Sequence, residues 1–213
     1  MKEILLIKSP NEQLSRFLSE IQNADDKNKT IDILTFALDN QDFLQANVLI
    51  ELISQFSHTP TNKSIEVLES IVSNTNYDEN IRIESLHVLS TFWYDGFKKI
   101  IKLVIEENSG HLDLKACALE KIGYNDFSEE LRSLIFEVLK SKISNPKLIF
   151  WAIYAASDLE GDIEAIKLVD QYKDDHREVN PMTSNATKAK ISEEASWAVE
   201  RMNGVISDPS WMK

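Results

Sequence analysis

A chain of 213 residues can bury a sizeable core, and its 23 basic against 35 acidic side chains leave a formal charge of −12. That balance repels phosphate backbones, whose ligands bind largely through lysine and arginine displacing counterions, and steers basic proteins toward the surface instead. With only five glycines and five prolines, the chain lacks the residues that tight hairpin turns consume, which argues against an all-β fold and for an all-α one.

The N-terminus, MKEILLIKSP, offers four consecutive apolar residues before Lys8, too short a run for the apolar part of a secretion signal. No apolar stretch approaches the roughly 20 residues that span a bilayer, so a cytoplasmic protein without a membrane partner is expected. Apolar residues then recur at helical spacing. Helices are predicted near 11–22, 29–40, 42–56, 65–73, 80–92, 97–107, 112–123, 127–143, 147–159 and 162–172, with 57–64 as a turn. At Asn145-Pro146 the asparagine caps a helix and the proline occupies its first turn. The polar, proline-containing stretch 174–190 has no apolar period and reads as a loop, before a last helix within 189–204.

The stretch 80-NIRIESLHVLSTF-92 recurs in degenerate form. A frame anchored on Leu86 falls also on Leu49, Leu119 and Ile153. The residue before each anchor is Val48, Ser85, Ala118 or Ala152, and the third residue after it is Leu52, Leu89, Ile122 or Ala156. Each such helix is followed by a second apolar helix. Successive anchors lie 37, 33 and 34 residues apart (49 to 86, 86 to 119, 119 to 153), and helix pairs of this length must stack on neighbours to bury their apolar faces.

Over roughly residues 39–173 this pattern resembles the HEAT and armadillo-like class of α-helical repeats. Those repeats tend to carry a basic residue four positions before the anchor; Arg82 and Lys115 match it, whereas Gln45 and Ile149 do not. The tetratricopeptide and ankyrin signatures are absent, while another irregular α-α superhelix and a compact bundle stay open as alternatives. The resemblance implies a right-handed α-α superhelix, a single domain over 1–213. Residues 1–40 would form an N-terminal cap, 41–173 the helix pairs, 174–190 a loop and 191–213 a C-terminal cap.

Catalytic signatures are missing. His58, His87, His111 and His176 lack the spacing of a helical zinc site. No glycine-rich phosphate cradle or nucleophile elbow occurs, and Cys117 sits in an apolar helical run as an expected buried thiol. The acidic doublets, such as Glu129-Glu130, point about 100° apart on a helix and read as solvated faces. No enzyme, metal or cofactor is therefore expected. Trp151 and Trp197 read as core; Trp93 and Tyr94 suit either packing or contact with a partner.

In HEAT-like arrays the second helix of each pair lines the concave face. By that resemblance the residues facing a groove would be Glu66 and Glu69, then Lys98, Lys99 and Lys102, then Glu130 and Glu137, then Glu164 and Asp170. Such a pattern suits a protein ligand, so the expected activity is a monomeric, non-catalytic adaptor that binds a basic protein. A sharper form is an immunity-type inhibitor of a basic toxin. A different class, nucleic-acid-modifying enzymes resembling alkylpurine glycosylases, needs a basic concave face with aromatics and a carboxylate, and here the overall charge has the opposite sign.

Overall fold

A computed structural model describes residues 1–92, 94–122, 128–141, 145–181 and 188–212. Helix accounts for 69% of it and strand for 2%. The chain divides into two compact units, Met1–Ile100 and Ile101–Lys213.

The first unit contains α1 (Pro10–Gln22), α2 (Lys27–Asp39), α3 (Ala46–Ser54), α4 (Asn62–Ser73) and α5 (Glu79–Ser90), and α6 (Phe97–Glu106) begins in it. Polar side chains start these helices by taking otherwise unbonded first-turn N–H groups. Ser9, Asp26 and Asp78 do so for α1, α2 and α5. At α4 Thr61 and Ser64 bond reciprocally in a capping box. Alternate helices share a layer: α1 packs on α3 and α3 on α5, while α2 packs on α4.

The second unit holds α7 (Leu112–Ile122), α8 (Glu129–Lys140), α9 (Pro146–Ala156), α10 (Ile163–Asp170) and α11 (Ile191–Met202). Ser128, Asn145 and Asp162 cap α8, α9 and α10, with Pro146 in the first turn of α9 as the sequence indicates. The layering is the same: α7 packs on α9 and α9 on α11, while α8 packs on α10.

The repeated ladder is the core of both units. The anchors Leu49, Leu86, Leu119 and Ile153 are buried, as are the four residues before them and the four that follow three positions later. Cys117 is buried as expected.

Two stretches differ from the sequence expectation. In place of one helix over 42–56, a 3-10 turn at Gln41–Phe43 precedes α3 and another at Gln55–His58 follows it. Leu44 is extended between the first turn and α3, and the Phe43 carbonyl accepts from the Gln13 side-chain amide, at 3.4 Å, rather than from a helical N–H. Within 174–190, β1 (Glu178–Val179) and β2 (Ala189–Lys190) pair antiparallel. Two residues per strand are too few for an alternating pattern to be read from sequence.

Candidate partner-binding faces

Helices α4, α6 and α8 are held by their ends. The last carbonyls of a helix have no intrahelical partner, and α4, α6 and α8 each have the next-to-last one taken by a side chain. Arg82, fully buried in α5, donates to the Val72 carbonyl from Nε at 2.9 Å and from Nη2 at 2.6 Å. Lys115 of α7 donates to the Ile105 carbonyl at 2.8 Å. At the next pair Ile149 stands at the equivalent position and is buried. There the Tyr172 hydroxyl, from beyond α10, donates to the Leu139 carbonyl at 2.6 Å.

Helices of one layer are laced by ion pairs. Lys63 of α4 meets Asp32 of α2 at 2.5 Å. Lys102 of α6 bonds to Glu130 of α8, and Lys147 of α9 meets Asp113 of α7 at 2.8 Å. The richest node joins α8 to α10. Arg132 reaches Asp162 through Nε at 2.6 Å and Nη2 at 3.3 Å, and Glu164 at 3.3 Å; Lys140 also reaches Glu164, at 3.0 Å. The guanidinium of Arg132 and the ammonium of Lys140 lie 4.2 Å and 5.4 Å from the centre of the Phe136 ring.

These contacts set the local titration. The Arg132 hydrogen bonds hold the Asp162 carboxyl below its ordinary value, opposed by partial burial and helped by its capping bonds to Ala165 and Glu164. Asp162 raises Arg132 in turn. Lys140, foremost, lowers Glu164, and Glu130 raises Lys102.

The structure distributes the sequence-predicted contact residues unevenly. Glu66, Glu69, Lys98 and Lys99 lie in the first unit, the remaining five in the second. Glu66, Lys99, Glu130, Glu137, Glu164 and Asp170 are exposed, whereas Glu69, Lys98 and Lys102 are half-buried. Lys102 and Glu130 meet each other, Glu164 is held by Arg132 and Lys140, and Asp170 pairs with Lys173 at 2.5 Å. Glu69 accepts from the Tyr94 hydroxyl at 2.9 Å, and burial, foremost, raises the Tyr94 phenol. Gly96 makes room for that pair, because a Cβ there would lie 2.7 Å from the Tyr94 ring. Trp93 lies outside the described residues.

Sequence reasoning missed Arg132, Lys140 and Asp162 as parts of this face. Only the capping role of Asp162, directly after Glu160-Gly161, has a local signal. The patch of Phe150, Trp151 and Tyr154 on α9 is legible from helical spacing, but its junction with Trp197 of α11 and with Trp211 is not. Trp151 is buried as expected, edge-on to Phe150, Tyr154 and Trp211, with ring centres 5.3–5.8 Å apart. Trp197, only half-buried, stacks on Tyr154 at 5.8 Å. Glu194, 1% exposed, accepts from the Trp211 indole N–H at 2.8 Å through Oε2, and its Oε1 has no hydrogen-bond partner. Burial pushes its carboxyl up to about 8, and the Trp211 bond pulls the other way.

Among the described residues no cluster of His, Cys, Asp and Glu could hold a metal ion, and no helix is long and apolar enough to cross a membrane. No known protein family, curated protein or solved structure matches the chain.

Proposed function

We propose that this protein is a non-catalytic protein-binding module built from HEAT/armadillo-like helix pairs, and that its partner presents a basic surface. The observation that carries the reading is where the charge goes. At least nine of the 23 basic side chains are engaged within the fold: Arg82 and Lys115 by helix-end carbonyls, and Lys63, Lys102, Arg132, Lys140, Lys147, Lys173 and Arg201 by carboxylates. The chain carries 35 − 23 = 12 more acidic than basic groups, and Glu66 and Glu137 are exposed and outside any ion pair among the described residues. Long-range attraction of this kind raises association rates with cationic partners and fades as salt screens it. The doubled use of a basic side chain to close the preceding second helix supports the helix-pair reading.

Affinity capture from the source organism's lysate at low and at high salt tests the proposal. A single basic protein retained at low salt, released at high salt and lost on Glu137→Lys together with Glu66→Lys supports it. Capture of nucleic acid, or salt-independent retention unaffected by the charge reversals, overturns it.

A further inference from the structure

The segment after α11 turns back across its own unit. Gly204, with φ +88, ends α11 in a conformation that other residues rarely adopt. From Ser207 onward alternate residues turn inward: Ser207 is half-buried and Pro209 and Trp211 are buried, whereas Ile206, Asp208, Ser210 and Met212 are exposed. Ile206 is 96% exposed. Side chains do the holding. Trp197 donates its indole N–H to the Ser207 carbonyl at 2.8 Å. Trp211 places its ring against Phe150, Trp151 and Tyr154 and gives its N–H to Glu194. The backbone contributes little, since among the described residues no N–H from Ile206 to Trp211 donates to another backbone group.

A chain irregular from Ile206 to Pro209 and closed by a 3-10 turn at Ser210–Met212, with alternating inward residues, an anchoring tryptophan and a carbonyl read by an indole, sits as a bound peptide sits on a receptor. The cover is also loose. A crevice of about 680 Å³ opens between the strap and α11, lined by Ser192, Ser196, Trp197, Glu200, Ser207 and Ser210, among others. Glu194 contributes a carboxyl with one oxygen unbonded in an otherwise aromatic wall. A segment held by two side-chain anchors and few backbone bonds opens at lower free energy than the helices beneath it.

We propose that the α9–α11 face is a peptide-docking groove, occupied in this structure by the chain's own Ser207–Trp211 strap. A partner's segment carrying Pro-x-Trp displaces that strap, its tryptophan set in the same kind of 3-10 turn. The tryptophan supplies the N–H for Glu194 and the ring for the aromatic wall, and the carbonyl two residues before the proline takes the Trp197 N–H. The strap thereby autoinhibits the groove. This site is separate from the charged second-helix faces, so the proposal stands or falls independently of the basic partner.

A labelled peptide, NGVISDPSWM, corresponding to residues 203–212, tests it by fluorescence anisotropy against the full chain and its Trp211→Ala variant. The variant is expected to bind the peptide at least about tenfold more tightly than the wild type, whose tethered strap competes at high effective concentration. The same peptide with alanine replacing its tryptophan is expected not to bind. A helical Trp211→Ala chain that leaves the peptide unbound overturns the proposal. Should that variant fail to fold, indole N–H exchange in the wild type decides. The Trp197 and Trp211 indoles are expected to exchange at rates independent of denaturant, while α9 amides follow global unfolding. Indoles that exchange only with global unfolding overturn the proposal.

Discussion

Arg82 and Lys115, 33 residues apart in the sequence (115 − 82), play equivalent roles, since each closes the next-to-last carbonyl of the second helix that precedes it, ten residues back. The equivalence is physical: a helix end buried against its neighbour needs a donor, and the following helix starts close enough to supply one. The Arg82 side chain is fully buried, whereas the Lys115 bond is only partly so. Arg82→Met should therefore cost about 3 kcal/mol, combining a lost charged hydrogen bond with an orphaned buried carbonyl. Lys115→Met should cost about 1 kcal/mol. Urea midpoints of the two variants test the order; equal losses would contradict it.

Tyr172 assumes that role where Ile149 occupies the basic position. Tyr172→Phe removes one hydroxyl and leaves the Leu139 carbonyl without its donor, with an expected loss of about 1–2 kcal/mol. Ile149→Arg in the Tyr172→Phe background should recover part of the loss, because Arg82 reaches the equivalent carbonyl from an equally buried position. Thermal melts of the single and double variants distinguish the two.

Asp162 caps α10, accepting from the Glu164 and Ala165 N–H groups at 2.9 and 3.0 Å, and also clamps Arg132 of α8. Asp162→Ala should lose about 2 kcal/mol, roughly 1 from the cap and the rest from the paired guanidinium. Asp162→Asn should lose less, because its side-chain oxygen still caps. The folded carboxyl is held below its ordinary value of 3.8, so its contribution is present above that pH and disappears as pH falls through the lower folded value. The gap between wild type and Asp162→Asn, measured from pH 6 down to pH 2, should shrink on acidification.

Glu194 behaves in the opposite sense. Its carboxyl shifts from 4.5 to about 8 on folding, so between these values the folded chain holds a proton that the unfolded chain has released. Stability then falls as pH rises through that window and levels off above it. Glu194→Gln removes the titration while keeping an acceptor for the Trp211 N–H. Relative to the variant, wild type should lose about 2–4 kcal/mol between pH 5 and pH 8. Parallel pH dependences of the two chains would refute this account of Glu194.

Composition and spacing along the chain were enough to establish the helical class, the cap at Asn145 and the buried ladder anchored on Leu49, Leu86, Leu119 and Ile153, and the resemblance to helical repeats singled out Arg82 and Lys115, two of the three helix-closing donors. Within each helix these depend on residues a few positions apart, where spacing sets geometry. The remaining relations arise from packing. Tyr172 closes α8 from 33 residues away, Arg132 finds Asp162 across 30, and Lys102 finds Glu130 across 28. Folding made partners of charged residues that look like free contact points along the chain, and carried Trp211 back to Glu194. Those relations depend on how far one layer of helices stands from the next and on where the chain returns after a turn. Local periodicity carries no term for either distance.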